Sequence, residues 1–95
     1  MVGTSEQPSH EGEARTPSGS TLQQGKDYKD VVSDFEDRGF INIKTETLDD
    51  LIFGWLTKDG EVESVSVDGD VDYSPNFWYP NDVEVIITYH TFPEK

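Results

Sequence analysis

The chain has 95 residues, 20 of them acidic and 7 basic, for a formal net charge of −13. It contains no cysteine, which excludes a disulfide framework, a thiol nucleophile and a cysteine-ligated metal centre. No apolar run is long enough to span a bilayer, and the charge makes nucleic acid and anionic membrane surfaces poor partners.

Residues 1–24 carry four apolar side chains, Met1, Val2, Ala14 and Leu22, and no aromatic. A stretch this polar buries too little surface to offset its ordering entropy, so it reads as a disordered linker or tail rich in Ser, Gly, Pro and Glu. All eleven aromatics fall between Tyr28 and Phe92, which places the folded unit at 25–92 and leaves 93–95 as a short C-terminal tail. That unit holds 16 acids against five bases, so most of the negative charge belongs to the domain itself.

Between Asp27 and Arg38, Tyr28, Val31, Val32 and Phe35 recur at helical spacing. Asp27 suits the N-cap, Asp30 meets the positive end of the helix, and Arg38-Gly39 is a stop signal. Phe40 is placed to fold back on the helix as the apolar contact of that cap. From Phe40 to Thr47 the period becomes two, with Ile41, Ile43 and Thr45 on one face of a strand. Residues 48–57 form a long connection with a short helical stripe at Leu48, Leu51, Ile52 and Trp55, weakened by Gly54. Glu61–Val67 is a second strand, opened by Lys58-Asp59-Gly60 and closed by Asp68-Gly69; Val62 is out of step with Val65 and Val67, which predicts a bulge. Residues 68–82 are a second long loop, rich in turn residues and aromatics. Val83–His90 is the strongest strand, with Val83, Val85, Ile87 and Tyr89 on one face. The expectation is one α+β domain: an N-terminal helix on a three-stranded, mostly antiparallel sheet, the last two strands pairing antiparallel.

From Gly25 to Tyr89 this order resembles a PASTA-like domain, a bacterial extracytoplasmic module in which a helix packs on a three-stranded sheet. The resemblance is carried by Gly25, the stripe Val31, Val32 and Phe35, the Gly39-Phe40 pair, Gly60-Glu61-Val62 and the Val83–Tyr89 strand. Runs such as Gly54-Trp55-Leu56-Thr57, Asp59-Gly60-Glu61-Val62 and Ile87-Thr88-Tyr89-His90 are similar to a variant found as the outer C-terminal domain of small membrane-anchored proteins of Gram-positive bacteria. The resemblance implies an extracytoplasmic, cell-surface location, a fragment of a longer membrane-anchored protein whose anchor lies upstream, and cell-wall recognition.

Two constellations bear on function. Trp55, Tyr73, Phe77, Trp78 and Tyr79 form an aromatic set able to stack on sugar rings, or alternatively to fill the core and pin the loop. Asp68, Asp70 and Asp72 have the spacing that begins a calcium loop, but Tyr73 stands where the turn glycine belongs and Tyr79 where the bidentate glutamate belongs. The competing reading is a solvated acidic turn. His10 falls in the tail and His90 at a strand end; there is no nucleophile elbow and no glycine-rich phosphate loop. The chain reads as a non-catalytic, cofactor-free, monomeric interaction module. Its partner is peptidoglycan fragments or a basic protein, with no nucleic acid and no membrane contact. A purely structural spacer and a weak calcium-binding domain are the alternatives.

Overall fold

The computed structural model of the chain describes residues 12–49 and 59–92. Within them lie β1 (Glu13–Arg15), α1 (Ser20–Gln23), α2 (Tyr28–Asp37), β2 (Ile43–Thr47), β3 (Val62–Val67), β4 (Trp78–Pro80) and β5 (Val85–Tyr89). The fold is α+β, with two helices and two small sheets among the described residues. Neither helix is long and apolar enough to cross a membrane.

Helix α2 begins and ends on local chemistry. The Asp27 carboxylate accepts from the Lys29 N–H at 2.9 Å, which satisfies one of the orphan donors of the first turn. At the other end Gly39 takes φ +106°, and Phe40 and Gly39 donate back to the carbonyls of Phe35 and Glu36 at 3.2 and 3.0 Å. This is a Schellman closure, completed by the apolar contact it favours: the Phe35 and Phe40 rings sit 5.3 Å apart. The helical stripe faces inward as expected, with Val31 and Phe35 buried and Tyr28 and Val32 packed on the core margin.

The larger sheet has the order β2–β5–β3. Strands β3 and β5 pair antiparallel, with a register shift between Val62 and Ser64 that places the expected bulge at Glu63. The bulge restores phase, so that Val62, Val65 and Val67 all point into the core. Val85 and Ile87 of β5 meet them, and α2 covers this face. Burying an aliphatic or Phe side chain contributes about 2 kcal/mol, so Phe35, Ile87 and these valines supply most of the driving force.

Strand β2 runs parallel to β5, from Ile43 opposite Val85 to Thr47 opposite Tyr89. The sheet is therefore mixed, not mostly antiparallel. A parallel pair needs a long crossover rather than a hairpin, and here the chain makes β3 and β4 between the two strands. As an edge strand, β2 is largely exposed. Only Ile43 reaches the core margin, while Ile41 is 70% exposed.

Residues 12–24 correct the expectation of a tail reaching to residue 24 and a domain starting at 25. Ala14, Thr16 and Gln23 have no exposed surface, and Pro17 is fully buried as well. This segment has two structural jobs. Strand β1 pairs antiparallel with β4, from Glu13 opposite Pro80 to Arg15 opposite Trp78. Residues 20–26 then cover the outer edge of β3: Ser20 Oγ accepts from the Val65 N–H at 3.0 Å, and Gln24 Nε2 donates to the Glu63 carbonyl at 3.0 Å. Gly25 N–H donates to Val62 O, and Val62 N–H to Lys26 O. An edge that would template association is thereby closed. Strand β4 also corrects the view of 68–82 as one irregular loop. The helical stripe expected at 48–57 lies outside the described residues, apart from Leu48 and Asp49.

Candidate binding surface

The aromatic set divides by burial. Tyr73 is a core residue, 3% exposed, with its ring edge-on to Phe35 at 6.2 Å and its hydroxyl donating to the Ser18 carbonyl. Burial pushes its phenol up to about 12; Gln23 opposes the shift, and Asp34 and Tyr79 add to it. Tyr73 therefore drops out of any ligand surface. Tyr79 is half-buried against the core and takes the Phe77 ring at 5.3 Å in an edge-to-face contact. Phe77 and Trp78 are the outward members, 53% and 36% exposed. Trp55 lies outside the described residues.

What holds Phe77 and Trp78 in place is the β1–β4 ribbon. Asn81 N–H donates to Gly12 O at 2.9 Å and Asn76 N–H to Thr16 O at 2.9 Å, bracketing the strand pair at both ends. The buried Thr16 hydroxyl donates to Ser74 O at 2.6 Å and accepts from the Phe77 N–H at 2.9 Å. Arg38 Nη1 donates to Thr16 O at 3.2 Å, tying the ribbon to the C-terminal end of α2. Asn76 holds φ +55°, a turn conformation that asparagine tolerates. Opposite Trp78, Arg15 places its guanidinium 5.7 Å from the indole ring and its Nε 3.4 Å from Asn76 O. The result is a ribbon held at both ends, with Trp78 and Arg15 together on one face and Phe77, against Tyr79, on the other.

Arg15 and Thr16 are the site residues that sequence reasoning missed. The strand that ends at Arg15, just before Thr16, is three residues long, too short for an alternation to register, and the surrounding composition is that of a tail.

The acidic triplet is a turn. Asp68 (φ +56°) and Gly69 (φ +82°) are the two central residues of a tight reversal in which Val67 and Asp70 exchange hydrogen bonds at 3.0 Å. Positive φ at both central positions is the hairpin-type geometry that Asp-Gly favours. Asp70 Oδ1 then accepts from the Asp72 N–H at 2.8 Å. Among the described residues no three carboxylate or imidazole side chains are grouped so that they could hold a metal ion. The calcium expectation at Asp68, Asp70 and Asp72 finds no such grouping among the described residues, and the Asp70 carboxylate braces the backbone at Asp72 instead.

Elsewhere, a cleft of about 270 Å³ is lined by Gly25, Asp27, Asp59, Gly60 and Glu61. Two of its carboxylates serve the fold, Asp27 as the cap of α2 and Asp59 as acceptor from Thr91 Oγ1 at 2.6 Å. His90 Nε2 lies 2.8 Å from Glu63 Oε1. No family model matches the chain, and no curated protein or solved structure matches it.

Proposed function

We propose that this domain is a non-catalytic interaction module that binds through Trp78 with Arg15 beside it, while Phe77 and Tyr79 flank them on the opposite face of the ribbon. The observation that carries the reading is the exposure of Trp78, with the Arg15 guanidinium over its ring, on a strand whose backbone is held at both ends. Exposed aromatic faces that need no reordering bind at low entropic cost, and each adds about 1 kcal/mol of stacking beyond the area it buries. The occupant that suits a flat aromatic face beside a guanidinium is a sugar ring bearing acidic or amide substituents, as in peptidoglycan fragments. That ligand agrees with the extracytoplasmic setting implied by the PASTA-like resemblance, in which the domain is the outer part of a membrane-anchored protein.

The net charge of −13 favours a second reading, a basic protein partner docking on the same aromatics. Titration with muropeptides, followed by tryptophan fluorescence and calorimetry, decides between them. Saturable binding that survives Trp55→Phe and is lost in Trp78→Phe is the expected result. No heat and no spectral shift with millimolar muropeptide removes the glycan reading.

A further inference from the structure

Tyr28 opens α2 and Tyr89 closes β5, 61 positions later in the chain. Their rings lie parallel, with centroids 3.9 Å apart and planes within 5°. The backbone fixes both residues from several sides. Tyr28 N–H donates to Gly60 O at 2.8 Å, Leu48 N–H donates to Tyr89 O at 3.0 Å, and Gly60 N–H donates to the neighbouring His90 O at 2.7 Å. Gly60 lies against the Tyr28 ring, where a Cβ would make an ordinary contact 3.5 Å from Cδ1. Both rings are half-buried, so one side of the pair remains open to solvent. The other two tyrosines have different neighbours: Tyr73 meets Phe35 and Tyr79 meets Phe77.

We propose that Tyr28 and Tyr89 are an oxidative cross-linking site, coupling through their ring ortho carbons to an intramolecular dityrosine when a one-electron oxidant, such as a haem peroxidase intermediate, acts on the domain. The step balances as follows. Each phenol gives one electron to the oxidant and its hydroxyl proton to solvent, leaving a phenoxyl radical with spin on the ortho carbons. The two radicals combine to form one carbon–carbon bond. On each ring the hydrogen at the new bond then moves to oxygen and aromaticity returns. Two electrons pass to two oxidant equivalents, and the product is two hydrogens lighter. The stacked rings let the two radicals meet face to face for the first bond, and as aromaticity returns the half-buried rings turn until that bond lies in both ring planes. The bond joins the start of α2 to the end of β5, and so restricts the unfolded chain as a disulfide does in a protein that has no cysteine.

The test exposes the dilute full chain to light with a ruthenium tris-bipyridyl complex and persulfate. The expected product is a monomer two hydrogens lighter with dityrosine fluorescence, in which fragment sequencing joins residue 28 to residue 89. It melts at a higher temperature than the starting protein. Tyr28→Phe and Tyr89→Phe, which keep the stacked rings and are checked for native circular dichroism, both lose the product, and Tyr79→Phe retains it. A cross-link mapped to any other pair, products joined only between chains, or undiminished yield in Tyr28→Phe and Tyr89→Phe overturns the proposal.

Discussion

Thr16 and Phe77 exchange two hydrogen bonds: the Thr16 N–H donates to Phe77 O at 2.9 Å, and the Thr16 hydroxyl accepts from the Phe77 N–H at 2.9 Å. The same hydroxyl donates to Ser74 O, so one buried side chain holds both a donor and an acceptor of the segment leading to the exposed aromatics. Thr16→Val preserves the branched shape and deletes the hydroxyl, leaving the Phe77 N–H without its acceptor and Ser74 O without its donor. The expected loss is about 1 kcal/mol, the cost of removing the partners of these part-buried backbone groups. Urea unfolding measures it. Thr16→Ser, which keeps the hydroxyl, should recover most of the difference; equal stability of the valine and parent proteins would show the ribbon to be held by its backbone ladder alone.

The same contact marks where sequence reasoning stopped. Helix α2 was legible because its signals are local: the Asp27 cap, the Tyr28–Phe35 stripe and the Gly39-Phe40 closure lie within fourteen residues. The bulge at Glu63 and the inward face of β5 were legible because period-two patterns persist over five or six residues. The β1–β4 ribbon was not, since two three-residue strands carry no periodicity and their partners are more than sixty positions apart. Ala14, Thr16, Pro17 and Gln23 are residue types that composition assigns to a solvated tail, yet tertiary contacts bury all four. Which aromatics face outward was equally hidden. Tyr73 and Phe77 stand four residues apart in one turn-rich stretch, and only the core at Phe35 separates their fates.

A chain beginning at residue 25 provides a direct check on the N-terminal correction. Without residues 14–24 the domain loses its β1–β4 ribbon, the side chains packed by Ala14 and Gln23, and the groups that close the outer edge of β3. The expected cost is on the order of 3 kcal/mol or more from lost apolar burial alone. The exposed edge should also promote association. Circular dichroism melting and light scattering read the two effects separately. A shortened chain as stable and monomeric as the full one would return this segment to the status of a tail.

Gly39 is required for its backbone and not for its size. Its φ of +106° is strained for any residue with a side chain, whereas a Cβ placed there meets only Ala14 Cβ at an ordinary 3.6 Å. Gly39→Ala should therefore cost about 1–2 kcal/mol through conformational strain at the helix end. The effect should be stabilising at no denaturant concentration. Hydrogen exchange would localise the loss to the last turn of α2, because Phe40 no longer closes onto Phe35.

Alkali supplies the last test, through Tyr73. Its phenol is held up to about 12 by burial against an ordinary value of 10.0, so the folded state retains a proton that the unfolded chain releases. Below pH 10 both states are protonated and the stability from this group is fully present. From pH 10 upward the unfolded chain ionises first, and stability falls until the folded phenol titrates near pH 12, a total of about 3 kcal/mol. Tyr89 is also raised, first by burial and then by the neighbouring Tyr28 and nearby carboxylates, and adds a loss of the same sign. Tyr73→Phe isolates the first contribution: it should be less stable than the parent at pH 8, where the hydrogen bond to Ser18 O is missing, yet lose less between pH 10 and 12. Parallel pH profiles for the two proteins would contradict the burial of this phenol.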